Sequence, residues 1–147
     1  MSLGSGARGV EYLDHTADMG IRARGETVEE VFRKAALGLF SLMVDVDTIV
    51  PSSCHEVVCR AKSLDALLVE WLSDLLAQKE LTGLVFGRFD VVIMQDANGC
   101  SMRGSAWGEE IDTQKHEPRT EVKGISYLGL SVRQEDDTWV AECVLDV

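Results

Sequence analysis

Positive charge and proline are both scarce in this chain. Across 147 residues, 14 lysines and arginines face 25 aspartates and glutamates, a net charge of −11 at pH 7. Binding to phosphates needs a basic footprint, so this balance argues against a protein that grips nucleic acid on its own. It argues equally against adsorption to anionic lipid. It suits a basic protein partner or a divalent cation. Only Pro51 and Pro118 interrupt the chain, and no Pro/Gly/Ser linker is long enough to divide it. Residues 1–9 carry no apolar run of signal-peptide length, and no run anywhere is long enough to span a membrane, so the chain reads as cytoplasmic. None of Cys54, Cys59, Cys100 and Cys143 belongs to a Cys-x-x-Cys pair, and no His stands at zinc-finger spacing from them. Each lies in an apolar or alternating stretch, where a reduced Cys behaves as a small hydrophobe. There is no GxxxxGK[ST] or GxGxxG phosphate loop and no Ser nucleophile elbow. Cys54 and the adjacent His55 would point to opposite faces of a strand, which leaves no Cys/His dyad.

What is present suffices for a core: 46% of residues are hydrophobic. Met1-Ser2-Leu3-Gly4-Ser5-Gly6 resembles a cloning scar, so residues 1–9 are set aside as a flexible lead and residues 10–147 are expected to form one domain. Two helices stand out. Thr27 and Glu30 form a capping box, and Val28, Val31, Phe32, Ala35, Leu39 and Phe40 recur at helical spacing, with an end near Met43. Ser63 opens the second helix. Its apolar stripe, from Leu64 through Trp71 to Leu76, is too wide for a surface helix and is expected to bury against a sheet. Strands are expected at Val10–Leu13, Ile21–Arg24, Glu56–Arg60, Val85–Met94, Cys100–Trp107, Glu121–Val132 and Trp139–Val147. Asp96-Ala97-Asn98-Gly99 is a hairpin signal, and the broken alternation after Glu121 predicts a bulge near Gly124 or Gly129. Helices and strands do not alternate one for one. This favours an α+β two-layer sandwich, with two main helices on mostly antiparallel sheet.

Three segments could carry chemistry. Asp14-His15-Thr16-Ala17-Asp18-Met19-Gly20 is expected as a loop between the first two strands; it offers hard oxygen donors to a divalent cation, or it is an ordinary polar turn. At the other end, the Asp146 carboxylate lies beside the α-carboxylate of Val147. Either this is a solvated end, or clustered charge on a paired strand is neutralised by a cation or by hydrogen-bond donors. Between Trp107 and Lys123 runs a charged connection, read as a solvated, salt-bridged loop or as a partner surface, with Glu121 and Lys123 on one face of the strand that follows.

Several of these segments together resemble the archease family. The matching elements are Tyr12 through Ile21, Leu67-Leu68-Val69-Glu70-Trp71-Leu72, Trp107-Gly108-Glu109, Thr120 through Tyr127, and Val144-Leu145-Asp146-Val147, in the expected order over residues 10 to 147. The resemblance implies an accessory protein of the RtcB-type RNA ligase. Such a protein is not a ligase itself but promotes ligase guanylylation and multiple turnover in tRNA splicing and RNA repair. It further implies a divalent metal, most often calcium with magnesium or manganese as alternatives, held by Asp18, Asp146 and Val147, so that the two ends of the chain would meet. It implies no catalytic residues and no membrane. Many relatives read Tyr-His where this chain has Tyr127-Leu128, so any imidazole role at that position is lost; Gly124 replaces a frequent Ala and should loosen the strand locally. The rival readings are a small metal-dependent hydrolase using the Asp18/Asp146 cluster, with only Asp14 or His15 as a base; a metal that merely pins the terminus; and a chaperone-like interaction module for another complex.

Overall fold

Both helices begin where their caps dictate. In the computed structural model, which describes residues 9–15 and 18–147, Thr27 Oγ1 accepts the Glu30 N–H at 3.1 Å while the Glu30 carboxylate reaches back to the Glu26 N–H. Helix α1 then runs Val28–Met43. Ser63 Oγ accepts the Ala66 N–H, and α2 runs Leu64–Thr82 until Gly83, in the left-handed conformation at φ 75°, closes it with a bond to the Lys79 carbonyl. The lead at residues 1–8 and the Thr16-Ala17 connection lie outside the described residues, as do the side chains of Asp14 and His15.

Among the described residues seven strands pack with these helices: β1 Val10–His15, β2 Asp18–Gly25, β3 Ser53–Ala61, β4 Leu84–Asp96, β5 Gly99–Glu110, β6 Gly124–Glu135 and β7 Thr138–Asp146, with a short 3-10 turn at Val46–Thr48. They form two sheets, β1-β2-β7-β6 and β3-β5-β4, and every pairing is antiparallel. The fold is α+β, two helices packed on antiparallel sheets. Helix α1 packs on β1, β2 and β7 of one sheet and on β4 of the other, and α2 on β6 as well as β3, β4 and β5. That double duty explains the wide stripe of α2, whose Leu67, Leu68, Trp71, Leu72 and Leu75 are fully buried. Trp71 ties the helices together, its indole N–H donating to the Phe32 carbonyl at 3.0 Å. All four cysteines are free, with Cys100 and Cys143 buried and Cys54 exposed. No described helix is long and apolar enough to cross a membrane.

Two expectations need correction, and one feature was not foreseen. The first polar motif is not a loop: Asp14 and His15 end β1, Asp18 starts β2, and the backbones of His15 and Asp18 are register partners. Strand β6 starts at Gly124, so Glu121 and Lys123 precede it and share no strand face. And β4 carries a bulge between Phe86 and Arg88 that the sequence did not announce. The β6 bulge, in contrast, falls at the expected Gly129, between Ser126 and Ser131.

The β4 bulge makes Gly108 obligatory. A Cβ there would stand 1.7 Å from the Val85 carbonyl oxygen, a backbone atom with no freedom to leave. Gly108→Ala should destabilise the protein at the upper end of the roughly 1–3 kcal/mol typical of overpacking, read as a lowered urea midpoint. An unchanged midpoint would show that β4 and β5 are looser here than their register implies.

Candidate functional site

The alternation of β2 turns Met19, Ile21 and Ala23 toward α1 and Asp18, Gly20, Arg22 and Arg24 outward. Strand β7 does the same, with Ala141, Cys143 and Leu145 buried and Glu142 and Asp146 outward. The two strands pair so that Arg22 faces Glu142 and Asp18 faces Asp146. The outer face of this sheet therefore holds two different charge patterns about four residues apart, roughly 13 Å at 3.3 Å per residue.

Toward its centre the face is neutral. Arg22 bonds Glu142 and pairs with Glu11; Arg24 pairs with Glu11 and Glu135; Arg133 bonds Glu135 and Glu142. Three arginines thus meet three glutamates. Burial alone would push the Glu142 carboxyl up, but the hydrogen bonds from Arg22 and Arg133 outweigh it and hold it below its ordinary range.

At its end the face is not neutral. Asp18 is half-buried, Asp146 exposed and Val147 half-buried. Neither aspartate carboxylate has an ion pair or hydrogen bond to another described residue. Like charges directly opposite each other on a sheet repel unless something neutralises them. The donors are hard carboxylate oxygens, which fits calcium, magnesium or manganese and not a thiol-seeking metal. No group of three or more His, Cys, Asp or Glu side chains among the described residues is arranged to hold a metal. A cation here would rest on Asp18 and Asp146 with main-chain or terminal oxygens completing its shell. Of the three residues expected to act together, the structure brings Asp18 and Asp146 opposite each other, with Val147 following directly.

The charged connection after β5 proves to be a strap, and its anchor is a residue that the sequence reading took for part of a solvated loop. His116 is completely buried. Its Nδ1 accepts the Asp112 N–H at 2.9 Å, which leaves the proton on Nε2 to be donated to Glu109 Oε2, also at 2.9 Å. The same oxygen accepts Lys115 Nζ at 2.7 Å and the Val50 N–H at 2.8 Å. Beyond His116 the strap covers the end of α1, with Arg119 and Thr120 N–H donating to the Met43 and Leu42 carbonyls that the helix leaves open. It finishes at Lys123, whose N–H donates to the Asp146 carbonyl at 2.7 Å. The strap thus fixes the outer side of the strand that carries Asp146. Nothing in the local sequence signalled it, since hydrogen bonds and not apolar periodicity bury His116.

With this geometry in place, the relatives become informative. The sequence matches the archease protein family over residues 10–147, and the chain belongs to that family. Protein archease of Thermococcus gammatolerans is 43% identical over 138 residues, covering 93% of this chain and 97% of that protein. Protein archease of a Saccharolobus islandicus strain is 37% identical over 140 residues, 95% and 99% of the two chains. The solution structure of protein 1598 from Methanobacterium thermoautotrophicum matches with a TM-score of 0.84 at 34% identity, over 95% of this chain and 99% of that one. A Thermotoga maritima archease, described as a possible chaperone, matches with a TM-score of 0.61 at 18% identity over 92% and 94% of the chains. At that identity the likeness concerns the fold.

The strap has a pH signature. Lys115, the Val50 N–H and His116, in that order, pull the Glu109 carboxyl from its ordinary 4.5 to about 2. The unfolded chain therefore binds this proton before the folded one does, so the contribution is complete above about 4.5 and is lost as the pH falls toward about 2. Glu109→Gln should lower stability at neutral pH and flatten that part of the acid unfolding curve. Parallel curves for parent and variant between those pH values would show that the strap does not hold as described.

Proposed function

We propose that this chain is a non-enzymatic, divalent-metal-binding accessory protein that activates an RtcB-type RNA ligase in the cytoplasm. It would promote guanylylation and multiple turnover of the ligase in tRNA splicing and RNA repair. Membership of the archease family supports the accessory role, and one observation carries the metal: Asp18 and Asp146 stand opposite each other as register partners with no basic side chain among the described residues to neutralise them. The proposed ligands are Asp18, Asp146 and the carboxylate of Val147, and the proposed ion is calcium, with magnesium or manganese in its place where they are more abundant.

When bound, the cation would supply positive charge and a fixed oxygen geometry at the end of the sheet. The chain's own part is to hold two carboxylates in register, keep them at an accessible edge, and meet a protein partner. A molecule of net charge −11 favours the basic surroundings of a ligase's RNA channel over the RNA. Binding there would favour the ligase conformation ready to be guanylylated, a shift between states that needs no chemistry from the accessory protein. A second reading, a chaperone-like module for another complex, has the description of the Thermotoga protein behind it. The two differ in one measurable respect, since a chaperone-like module has no need of the aspartates.

Metal binding is tested first, by melting. An ion that binds the folded chain alone adds RT ln(1 + [L]/Kd), about 2.7 kcal/mol at one hundred times Kd. Calcium should therefore raise the Tm of the parent and leave Asp18→Ala and Asp146→Ala unmoved, with both variants folded. Residues added after Val147 should shrink the rise by displacing the terminal carboxylate. Equal calcium shifts in parent and aspartate variants would remove the site.

Activation is tested with the ligase of the same organism, guanosine triphosphate and RNA ends. The parent should raise turnover at substoichiometric amounts and Asp146→Ala should not, read as guanylylated ligase against time. If Asp146→Ala activates like the parent, the aspartates are not the activating group.

A further inference from the structure

Large apolar side chains are exposed at several places among the described residues, and most have an ordinary setting. Val58, Val92 and Met94 lie on the outer face of the three-stranded sheet, interleaved with Arg103, Glu56 and Asp90, charges of both signs. Tyr127 and Leu128 are different. They are adjacent, 66% and 80% exposed, and sit on the β6 bulge where pairing with β7 lapses between Ser126 and Ser131.

The bulge has a built geometry. The Leu128 N–H donates to Ser126 Oγ at 3.0 Å. Gly129 holds φ at 73°, a conformation that L side chains rarely adopt, and a Cβ on it would come within 3.0 Å of Val144 Cγ2. The bulge backbone therefore rests on Val144, and the two apolar side chains project from a fixed base. Val144 pairs with Gly20 on one side and Ser126 on the other, and the next row outward on the same face is Asp18, Asp146 and Gly124. Two residues along a strand is about 7 Å. The bulge that carries the two apolar residues thus begins one row of the face from Asp146.

We propose that Tyr127 and Leu128 are a preformed docking knob for the protein that the aspartate pair serves, filling an apolar pocket whose rim carries lysine or arginine. The inference rests on the reading above, in which that protein is the RNA ligase. A bulge whose backbone is already held loses little backbone freedom on binding, and a central aromatic or aliphatic anchor is what an interface uses to gain most of its affinity. Charge selects the partner. A second copy of this chain would bring one molecule of charge −11 against another, and an anionic membrane would meet the same charge; a basic protein surface is the one that the acidic chain attracts, with the knob supplying apolar contact.

The test uses the purified RtcB-type ligase of the same organism and the full chain. Leu128→Asp should weaken ligase binding at least tenfold and Tyr127→Ala by a smaller factor, while the Tm and the calcium affinity of both stay at parental values. Val58→Asp, equally exposed on the other sheet, should bind like the parent, and added salt should weaken the parent's binding. Parental affinity in Leu128→Asp overturns the knob while leaving the ligase reading intact. So does an equal loss in Val58→Asp, and so does a loss of calcium affinity in Leu128→Asp, which would place the residue in the metal site. If the parent itself neither binds nor activates the ligase, the functional reading falls and the knob falls with it.

Discussion

The pairing of β2 with β7 is the constraint on which the rest depends. These are the two central strands of the four-stranded sheet, and they come from opposite ends of the chain. Their register is set from the inside: Met19 lies across from Leu145, Ile21 from Cys143 and Ala23 from Ala141, and most of these side chains are fully buried. A slip of one residue would turn Arg22 into the core and Ile21 out of it. Burying a single large aliphatic side chain stabilises by roughly 1.5–3 kcal/mol. Like charges opposed at an exposed sheet end work against this with well under that amount per pair, on the order of the 0.2–1 kcal/mol of cross-strand interactions. The core therefore fixes the register and the aspartates have to accept the position it imposes. An arrangement held together by packing beneath it needs no ligand to assemble.

The same face shows why the aspartates stand out. Six charges lie in and beside its centre, and they cancel. Exposed ion pairs are worth little individually, so the Arg22, Arg24 and Arg133 contacts contribute modest stability. Their larger effect is to clear the face of net charge and leave the excess at one end. An acidic edge next to an apolar bulge is a directional feature on a surface that is otherwise balanced.

Much of this could be read in the sequence, for physical reasons that differ element by element. Thr27 with Glu30 and Ser63 are local capping chemistry, so α1 and α2 start where short-range interactions say they should, while the Gly83 stop of α2 was not foreseen. The lapse in alternation between Val122 and Leu130 is equally local, and the bulge falls on Gly129. What escaped has its cause at long range. The Gly87 bulge in β4 answers to the Val46–Ile49 turn packed against it, since a Cβ on Gly87 would meet the Val46 carbonyl at 3.1 Å. Asp18 looked like a loop residue because polar motifs usually are, and its pairing with His15 of β1 and Asp146 of β7 makes it a strand residue. His116 sat in a run of charge and proline that reads as solvent-exposed. The candidate site was half visible: the residues alone offered two unrelated acidic clusters, and resemblance to a family joined them. The register then supplies what neither source contains, that Asp18 and Asp146 are direct partners.

The strap completes the argument from the outer side. Strand β7 is held on its inner flank by β2, but beyond Ser126 its pairing with β6 is confined to Ser126, Ile125 and Gly124, because the bulge interrupts the ladder. The two opposed carboxylates lie across the β2–β7 pairing, so their repulsion bears on the other side of β7 and leaves this short stretch to hold the strand. Lys123 adds one more hydrogen bond to it, to the Asp146 carbonyl, and Lys123 is itself the end of a segment fastened at Leu42, Met43 and Glu109. If the pair holds a ligand, as proposed, its carriers need fixing to within a fraction of an ångström by neighbours that do not touch the ligand. Here that support runs from the C-terminal end of α1 through a buried histidine to the edge of the sheet. The bulge interrupts β6 to expose Tyr127 and Leu128, and the strap restores on one side the rigidity that the interruption removes on the other.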